Sequence, residues 1–257
     1  MGKIGVELTH GDLVAKVTLD RAEKMNALTV DMRSAYGATI RELGEDQKIR
    51  VIIVQGAGEK SFSAGGDIGE FLNLEPHELV DWGKEMEVTE ACPKPVIAAI
   101  NGFCLGAGFE LALACDIRIS TEQSLFGLPE IRLGMMPGSG GSQRLMRLIG
   151  IGRTKHWLLT GKRVTGKEAE HLGIVTKIVP GKDELDIAIE ELIQEFLPLS
   201  SLSLRVLKET LHEGANAPLS VALELERKSY AYLRSTHDYE EGVKSYLEKR
   251  SPHYKGR

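Results

Sequence analysis

The chain has 257 residues, enough for one large domain with a substantial buried core. Charged residues make up 27% of it and aromatic residues only 5%, and the formal net charge is −5. This composition disfavours nucleic-acid binding that depends on bulk electrostatic attraction or on base stacking. Glu7 and His10 interrupt the N-terminal segment early, so we expect no targeting signal there.

The longest apolar stretch, residues 95–115, is broken by Asn101 and Glu110 and is rich in glycine. This pattern predicts a buried core segment rather than a membrane span. The three cysteines are odd in number and form no CxxC pair, which favours free thiols in a reducing cytoplasm.

The first predicted elements are a hairpin, a helix and a buried strand. Alternating apolar and polar residues over the first twenty positions predict a β-hairpin that turns at 10–12. Apolar side chains recur at helical spacing over 29–43, with Thr29 or Asp31 as the capping residue. The continuous β-branched run at 51–54 is typical of a strand buried on both faces.

Helices and short strands then continue to alternate. A helical pattern over 77–89 leads to an apolar strand at 96–100, and another helix ends at Ala114. Further strands are predicted at 117–120, 125–126 and 174–179. Helices are predicted after Pro180 at 183–196, 202–212, 219–232 and 238–249. The chain is therefore predicted to be mixed α/β over two-thirds of its length and helical in the last third.

Three glycine-rich segments, 61–68, 101–110 and 127–141, each follow a short predicted strand. Taken singly, each is explained by turns in which the backbone needs positive φ or close packing. None contains the G-x-G-x-x-G spacing, and the chain has no G-x-x-x-x-G-K-[ST], so Rossmann and P-loop nucleotide sites are excluded.

Glu110 is out of place among its neighbours, since it lies in the apolar run Phe109-Glu-Leu-Ala-Leu-Ala-Cys115. A carboxylate in such surroundings is either paired with a cation or kept for acid–base chemistry, because burying an unpaired charge is costly. The alternative is a surface glutamate on an amphipathic helix. Glu130, which follows Pro129, would by itself be taken as a solvated loop residue.

Several segments in the same order resemble the enoyl-CoA hydratase/isomerase (crotonase) superfamily along essentially the whole chain. The matching segments are RAEKMNAL (21–28), FSAGGDI (62–68), KPVIAAIN (94–101), GFCLGAGFELALACD (102–116), FGLPEIRLGMMPGSGG (126–141), QRL (143–145) and EKR (248–250). The resemblance implies an α/β fold, the crotonase (ClpP-like) spiral of ββα units followed by a C-terminal helical region.

By position, the resemblance implies an oxyanion hole formed by two backbone amides, those of Gly66 and Ala107. Such donors would stabilise the enolate-like thioester oxygen of the transition state. The family often has alanine at the first position and glycine at the second. Because both roles use the main-chain N–H, these exchanges should preserve the chemistry while changing the shape of the acyl pocket.

The resemblance also implies that Glu110 and Glu130 are the catalytic pair. Hydratases of the family have glutamate at both positions, whereas isomerases often keep only the later one. In this scheme Glu110 accepts a proton from water as the oxygen attacks Cβ, and Glu130 delivers a proton to Cα. Which of the two glutamates is the acid and which is the base stays open, since coupled carboxylates titrate as a pair.

The substrate is then expected to be an acyl-CoA thioester. The family's CoA contacts fall on Asn26, Ala27, Leu28, Ala64, Gly66, Asp67, Ile68, Gly69 and Ala107, with Lys249 as a candidate from a neighbouring subunit. An exposed helix face is an equally good interpretation of Lys249. CoA is carried by the substrate, so no separate cofactor and no metal are expected.

The resemblance divides the chain into a catalytic core, 1–195, and a helical trimerisation region, 196–257. It implies a homotrimer or homohexamer in the cytoplasm, with no membrane or nucleic-acid partner. Alternatives on the same scaffold are an enoyl-CoA isomerase or a hydratase of branched or cyclic acyl-CoA, and a remote one is a non-catalytic RNA-binding relative. The acyl pocket is expected to be lined from 71–86 and by Met135 and Met136.

Overall fold

The computed structural model describes residues 2–257, apart from the side chains of Pro76, Leu79, Val80 and Trp82. The strands of this described part are β1 (Lys3–Thr9), β2 (Val14–Asp20), β3 (Val51–Gly56), β4 (Ser61–Ser63), β5 (Val96–Ile100), β6 (Phe103–Leu105), β7 (Ile117–Thr121), β8 (Leu125–Gly127), β9 (Arg163–Thr165) and β10 (Lys177–Val179).

The helices are α1 (Val30–Glu45), α2 (Ile68–Phe71), α3 (Pro76–Ala91), α4 (Ala107–Ala114), α5 (Gly141–Ile149), α6 (Ile151–Thr160), α7 (Gly166–His171), α8 (Lys182–Phe196), α9 (Ser201–Ala215), α10 (Leu219–Arg234) and α11 (His237–Glu248). Two short 3-10 helices, Ala22–Lys24 and Pro129–Leu133, lie in the connections.

The larger sheet has six strands in the order β1-β2-β3-β5-β7-β10. β1 and β2 form the predicted antiparallel hairpin, and the remaining neighbours pair in parallel. The turn passes through His10, Gly11 and Asp12, all with positive φ. Parallel strands need covering on both faces, which explains the continuous apolar run predicted for β3.

Alternate residues of this sheet enter two different cores, as the two-residue period of a strand requires. Ile52 and Val54 of β3 belong to the main core, which also contains α1 and α4. Val51 and Ile53 face the opposite way and pack with Leu185 and other apolar residues of α8. α8 thus covers one face of the sheet, while the site lies on the other.

The second sheet, β4-β6-β8-β9, contains strands of only three residues. Each repeat sends one strand to the large sheet and the next to the small one before a helix follows: β3 and β4, then β5 and β6, then β7 and β8. This confirms the spiral of ββα units. It also aligns β4, β6 and β8, so that the three glycine-rich segments associated with them come together.

The strand predicted at 174–179 is shorter than expected. Only Lys177–Val179 pairs with β7, while Ile174 and Val175 are buried in the core without joining the ladder. The sequence pattern detects their burial and cannot distinguish a buried loop from a strand. β9 was not predicted, because its three residues become a strand only by pairing with β8.

After α8 the chain is helical, as predicted. α9 and α10 pack together as an antiparallel pair joined by a short connection. Within residues 2–257, no helix has the length and apolar character required to cross a membrane. The apolar stretch 95–115 instead folds into β5, β6 and α4, most of whose side chains are buried.

Candidate active site

Glu110 lies in the first turn of α4, a helix whose residues are all buried. Its side chain is only 3% exposed. The Oε1 atom accepts hydrogen bonds from the backbone N–H groups of Ser139 at 2.8 Å and Gly141 at 2.9 Å. Two such donors stabilise a charged carboxylate, and neither occupies Oε2. The alternative of a surface glutamate on an amphipathic helix is therefore wrong.

The loop at 139–141 packs closely against the Glu110 side chain. A Cβ at Gly141 would lie 2.8 Å from Cγ and 3.0 Å from Oε1 of Glu110, so a side chain there would displace the carboxylate. Arg144 braces the same loop by donating to the Ser139 carbonyl at 2.9 Å and pairing with Glu90 at 2.7 Å. The position of Glu110 thus depends on a glycine and a buttressing ion pair.

Glu130 is not the solvated loop glutamate that its local sequence suggests. It lies in the 3-10 helix Pro129–Leu133, and its Oε2 atom is buried with no hydrogen-bond partner among the described residues. Burial raises the pKa of Glu130 to about 7, and the negative charge of Glu110 contributes to the rise. This carboxyl group can therefore hold a proton near neutral pH.

Two glycine-rich loops touch between the glutamates. A Cβ at Gly65 would lie 3.5 Å from the Gly106 Cα and 3.6 Å from the Ala107 nitrogen. A Cβ at Gly106 would meet Oε1 of Glu130 at 3.1 Å. Gly65 and Gly106 both have positive φ, so glycine suits these positions for two reasons. The loops of Gly66 and Ala107 are thus brought together beside Glu130.

The amides of Gly66 and Ala107 are available for a ligand. Within residues 2–257, neither nitrogen donates a hydrogen bond to another part of the chain, although the adjacent Leu28 and Asp67 amides both do. Ala107 is the first residue of α4, where the helix dipole favours negative charge. This arrangement suits the oxyanion hole that the sequence predicts.

A buried arginine binds the carbonyl groups at the C-terminal end of α4. Arg118 is buried and donates from Nη1 to the carbonyls of Ala112 and Cys115 and from Nε to that of Ile174. A guanidinium at a helix C-terminus complements the dipole. Sequence reasoning missed this residue, whose only local signal is a cation within a strand of apolar character.

The segment 26–28 supports the Gly66 loop. Asn26 is fully buried, and its Nδ2 donates to the carbonyls of Ala57 and Ser61. Leu28 forms an isolated parallel bridge with Gly66. The side chain of Asn26 is therefore occupied in holding the loop, and its backbone N–H and carbonyl are also bonded, to the Arg21 carbonyl and the Ser63 hydroxyl.

The other predicted CoA residues lie beside that bridge. Asp67 pairs with Arg21 at 2.7 Å and caps α2 by accepting from the Gly69 amide. Ile68 is 57% exposed, and Ala64 is half-buried. These residues flank Gly66 in sequence, and the segment 66–69 is partly or fully exposed.

Lys249 is separate from this group. It ends α11 with a φ of 54° and is exposed, and among the described residues no hydrogen bond or ion pair joins it to the site. Its role at a subunit boundary therefore stays a prediction.

Arg33 is a site residue that sequence reasoning missed. It lies on α1, is 2% exposed, and would be 2.7 Å from a Cβ at Gly66. Phe71, at the edge of the predicted acyl wall, approaches the same point to 2.8 Å. Met135 and Met136 are 37% and 69% exposed, and four side chains of the predicted wall, those of Pro76, Leu79, Val80 and Trp82, lie outside the described residues.

Comparison with known proteins shows the family of the chain. The family model described as enoyl-CoA hydratase/isomerase matches residues 9–257. The short-chain-enoyl-CoA hydratase of Clostridium acetobutylicum is 36% identical over 241 residues, 92% of each chain. The crotonyl-CoA hydratase of Syntrophomonas wolfei is 36% identical over 251 residues, 96% of each chain.

Among solved structures, the enoyl-CoA hydratase of Bacillus anthracis superposes with a TM-score of 0.93 at 37% identity, covering 99% of both chains. The chain therefore matches these proteins in sequence and in fold over nearly its whole length. The chain belongs to the enoyl-CoA hydratase/isomerase family and is most like the enoyl-CoA hydratases.

Proposed function

We propose that the protein is an enoyl-CoA hydratase that adds water syn across the double bond of a trans-2-enoyl-CoA to give a 3-hydroxyacyl-CoA. The observation that carries this proposal is the contrast between its two glutamates. Glu110 is stabilised as a carboxylate by two backbone amides, whereas burial raises the pKa of Glu130 to about 7. One base and one acid beside the same loops suit the addition of water.

The reaction follows from these protonation states. Glu110 takes a proton from water as the water oxygen forms a bond to Cβ, and the electrons of the double bond move to the thioester oxygen. Glu130 then delivers its proton to Cα as the enolate collapses, which restores the thioester. After the addition Glu110 is protonated and Glu130 is ionised. Glu110 then loses its proton to solvent and Glu130 takes one up, which restores the starting state.

The enolate oxygen needs donors that are already in place. The amides of Gly66 and Ala107 fit this role, because their loops touch and neither N–H is used within the described chain. Losing one donor of an oxyanion hole typically costs about 2.7–4 kcal/mol of transition-state stabilisation. Rigid backbone donors also avoid the entropy of ordering a side chain.

The CoA part of the substrate is proposed to lie along 26–28 and 64–69, the two segments that the Leu28–Gly66 bridge joins. Asn26 and Leu28 are buried there, whereas Ile68 and Gly69 are exposed. In this scheme CoA is carried by the substrate, and acid–base chemistry needs no redox cofactor or metal. Lys249 would reach the CoA of a neighbouring subunit. Its exposure at the end of α11 is compatible with that contact.

The region 196–257 is proposed to assemble the protein into a homotrimer or a homohexamer. Its helices expose large apolar side chains: Leu207, Leu211, Leu219, Tyr246 and Leu247 are each more than half exposed. Contiguous exposed apolar surface is characteristic of protein–protein interfaces.

A substrate comparison tests hydration against isomerisation. The purified protein is given crotonyl-CoA and, separately, a 3-enoyl-CoA, and the products are separated by chromatography. A hydratase converts crotonyl-CoA to 3-hydroxybutyryl-CoA at the higher kcat/KM. Rapid conversion of the 3-enoyl-CoA to the conjugated thioester, with negligible hydration of crotonyl-CoA, would instead identify an isomerase.

A further inference from the structure

Arg33 is a buried cation beside the proposed oxyanion hole. Its side chain projects from α1 and is only 2% exposed. Burying a guanidinium is costly unless nearby negative charge or polar groups compensate. The scheme proposed above gives this residue no task.

The geometry connects Arg33 directly to Gly66. A Cβ at Gly66 would lie 2.7 Å from the Nη2 atom of Arg33, so the guanidinium fills the space that an alanine would need. That Cβ would be two covalent bonds, each about 1.5 Å, from the Gly66 nitrogen, so Nη2 lies within about 6 Å of the amide. Glycine at this position therefore leaves room for the guanidinium.

The charged groups that face the guanidinium are Glu110 of α4 and Glu70 of α2. Burial lowers the pKa of Arg33 to about 9, and the carboxylates of Glu110 and Glu70 oppose that change. Arg33 is therefore still positively charged at neutral pH. Glu70 is also bonded to the Val30 amide, while Glu110 is faced in turn by Glu130.

We propose that Arg33, in the space left by Gly66, is a positioning residue whose positive charge favours the thioester enolate. It acts through its electrostatic field from behind the Gly66 amide rather than by touching the reacting atoms. In the low-dielectric interior, a cation at this range is far more effective than in water. This inference rests on the proposed function and adds a residue to it.

The primary test compares three variants of α1. Arg33→Met removes the charge at similar length, Arg33→Lys keeps it, and Arg41→Met removes a charge from the exposed part of the same helix, where Arg41 pairs with Glu85. The expected results are at least a tenfold loss of kcat for Arg33→Met with little change in KM, partial recovery for Arg33→Lys, and no change for Arg41→Met.

Recovery by lysine separates an electrostatic role from a structural one. Arg33→Lys restores the positive charge without the guanidinium group, so it should regain part of the kcat that Arg33→Met loses. A loss of activity in Arg33→Met that lysine does not recover would overturn the inference.

Gly66→Ala tests the same contact without removing the arginine. Its Cβ should push the guanidinium away and lower kcat, as Arg33→Met does. The two effects should be non-additive in the double variant, because both act on one group. If Arg33→Met does not fold, an unchanged kcat in Gly66→Ala would by itself contradict the proposal.

A binding experiment distinguishes this inference from the proposed hydration. Acetoacetyl-CoA can bind as its enolate, whose near-ultraviolet absorbance is titrated against pH in each complex. Arg33→Met should require a higher pH for enolate formation than the wild-type protein, whether or not crotonyl-CoA is hydrated. Enolate formation that is identical in both proteins would overturn the role of Arg33. Wild-type protein that binds the enolate but hydrates nothing would refute only the proposed function.

Discussion

Glu110 and Glu130 have the same side chain and opposite environments. Two backbone N–H groups bind Oε1 of Glu110, while Oε2 of Glu130 is buried without a partner among the described residues. The burial of Glu110 could be predicted from its apolar neighbours. That of Glu130 could not, because it is produced by packing against Gly106 and the α4 loop, which are distant in sequence.

We expect the raised pKa of Glu130 to set the alkaline limit of activity. As an acid it works only when protonated, and its pKa of about 7 means that the protonated fraction falls above neutral pH. We expect kcat/KM for crotonyl-CoA to decline above about pH 7, with a slope of one proton. The measurement is a pH–rate series from pH 5 to 9. A flat profile through pH 9 would show that Glu130 is not the acid.

The same group makes stability depend on pH. Its folded pKa lies above the ordinary value of 4.5, so the folded state binds this proton more tightly than the unfolded state. The contribution to stability is present below about pH 4.5 and is lost as the pH rises through about 7. Glu130→Gln should therefore unfold at a higher temperature than the wild-type protein at pH 8, with a smaller difference at pH 5.

At pH 8 the free energy of unfolding of Glu130→Gln should exceed that of the wild-type protein by about 1–2 kcal/mol. This is less than the pKa shift alone would give, because the carboxyl group is partly solvated. Thermal unfolding at the two pH values provides the measurement, with Glu195→Gln on the exposed surface of α8 as the matched control. If the stability of Glu130→Gln relative to the wild-type protein were lower at pH 8 than at pH 5, the raised pKa of Glu130 would be contradicted.

At the scale of elements, the site depends on loops that connect very short strands. The hairpin and the long helices could be predicted because their periodicity is local, and Thr29 caps α1 by accepting from the Met32 amide. β9 could not be predicted, since three residues have no periodicity and pair with β8, almost forty positions away. The convergence of the glycine-rich loops was implied only by the family resemblance.

Gly141 at the start of α5 provides a test of how the loop holds Glu110. Gly141→Ala would place a methyl group 2.8 Å from the Glu110 Cγ, and we expect at least a tenfold loss of kcat with nearly normal thermal stability. Gly138→Ala is the matched control, because a Cβ there meets nothing within 4 Å. Equal activity in the two variants would show that the loop does not fix the carboxylate.

At the scale of the whole molecule, the compact core and the helical third have different surfaces. β3 and its neighbours are covered on both faces, whereas α9–α11 expose Leu211, Leu219 and Leu247. Sequence periodicity predicts these helices and their apolar faces. It cannot say which face finds a partner within the chain, because that depends on the packing of helices against one another.

The exposed apolar face predicts assembly. Light scattering should give a particle three or six times the mass of the chain. Leu211→Asp together with Leu247→Asp should shift it toward the monomer, because each charge would have to be buried at an apolar contact. Ile187→Asp, on the exposed surface of α8, serves as the control. A wild-type protein that remains monomeric at high concentration would refute the proposed trimerisation role of 196–257.

The central claim, that Glu110 and Glu130 jointly add water to an enoyl-CoA, is tested most directly by the initial rate of crotonyl-CoA hydration. Wild-type protein, Glu110→Gln, Glu130→Gln and the surface control Glu195→Gln are compared at one saturating substrate concentration and neutral pH. Each site variant should lose about 10²–10⁴-fold in kcat while the control retains full activity. Hydration at the wild-type rate in both site variants would contradict the account.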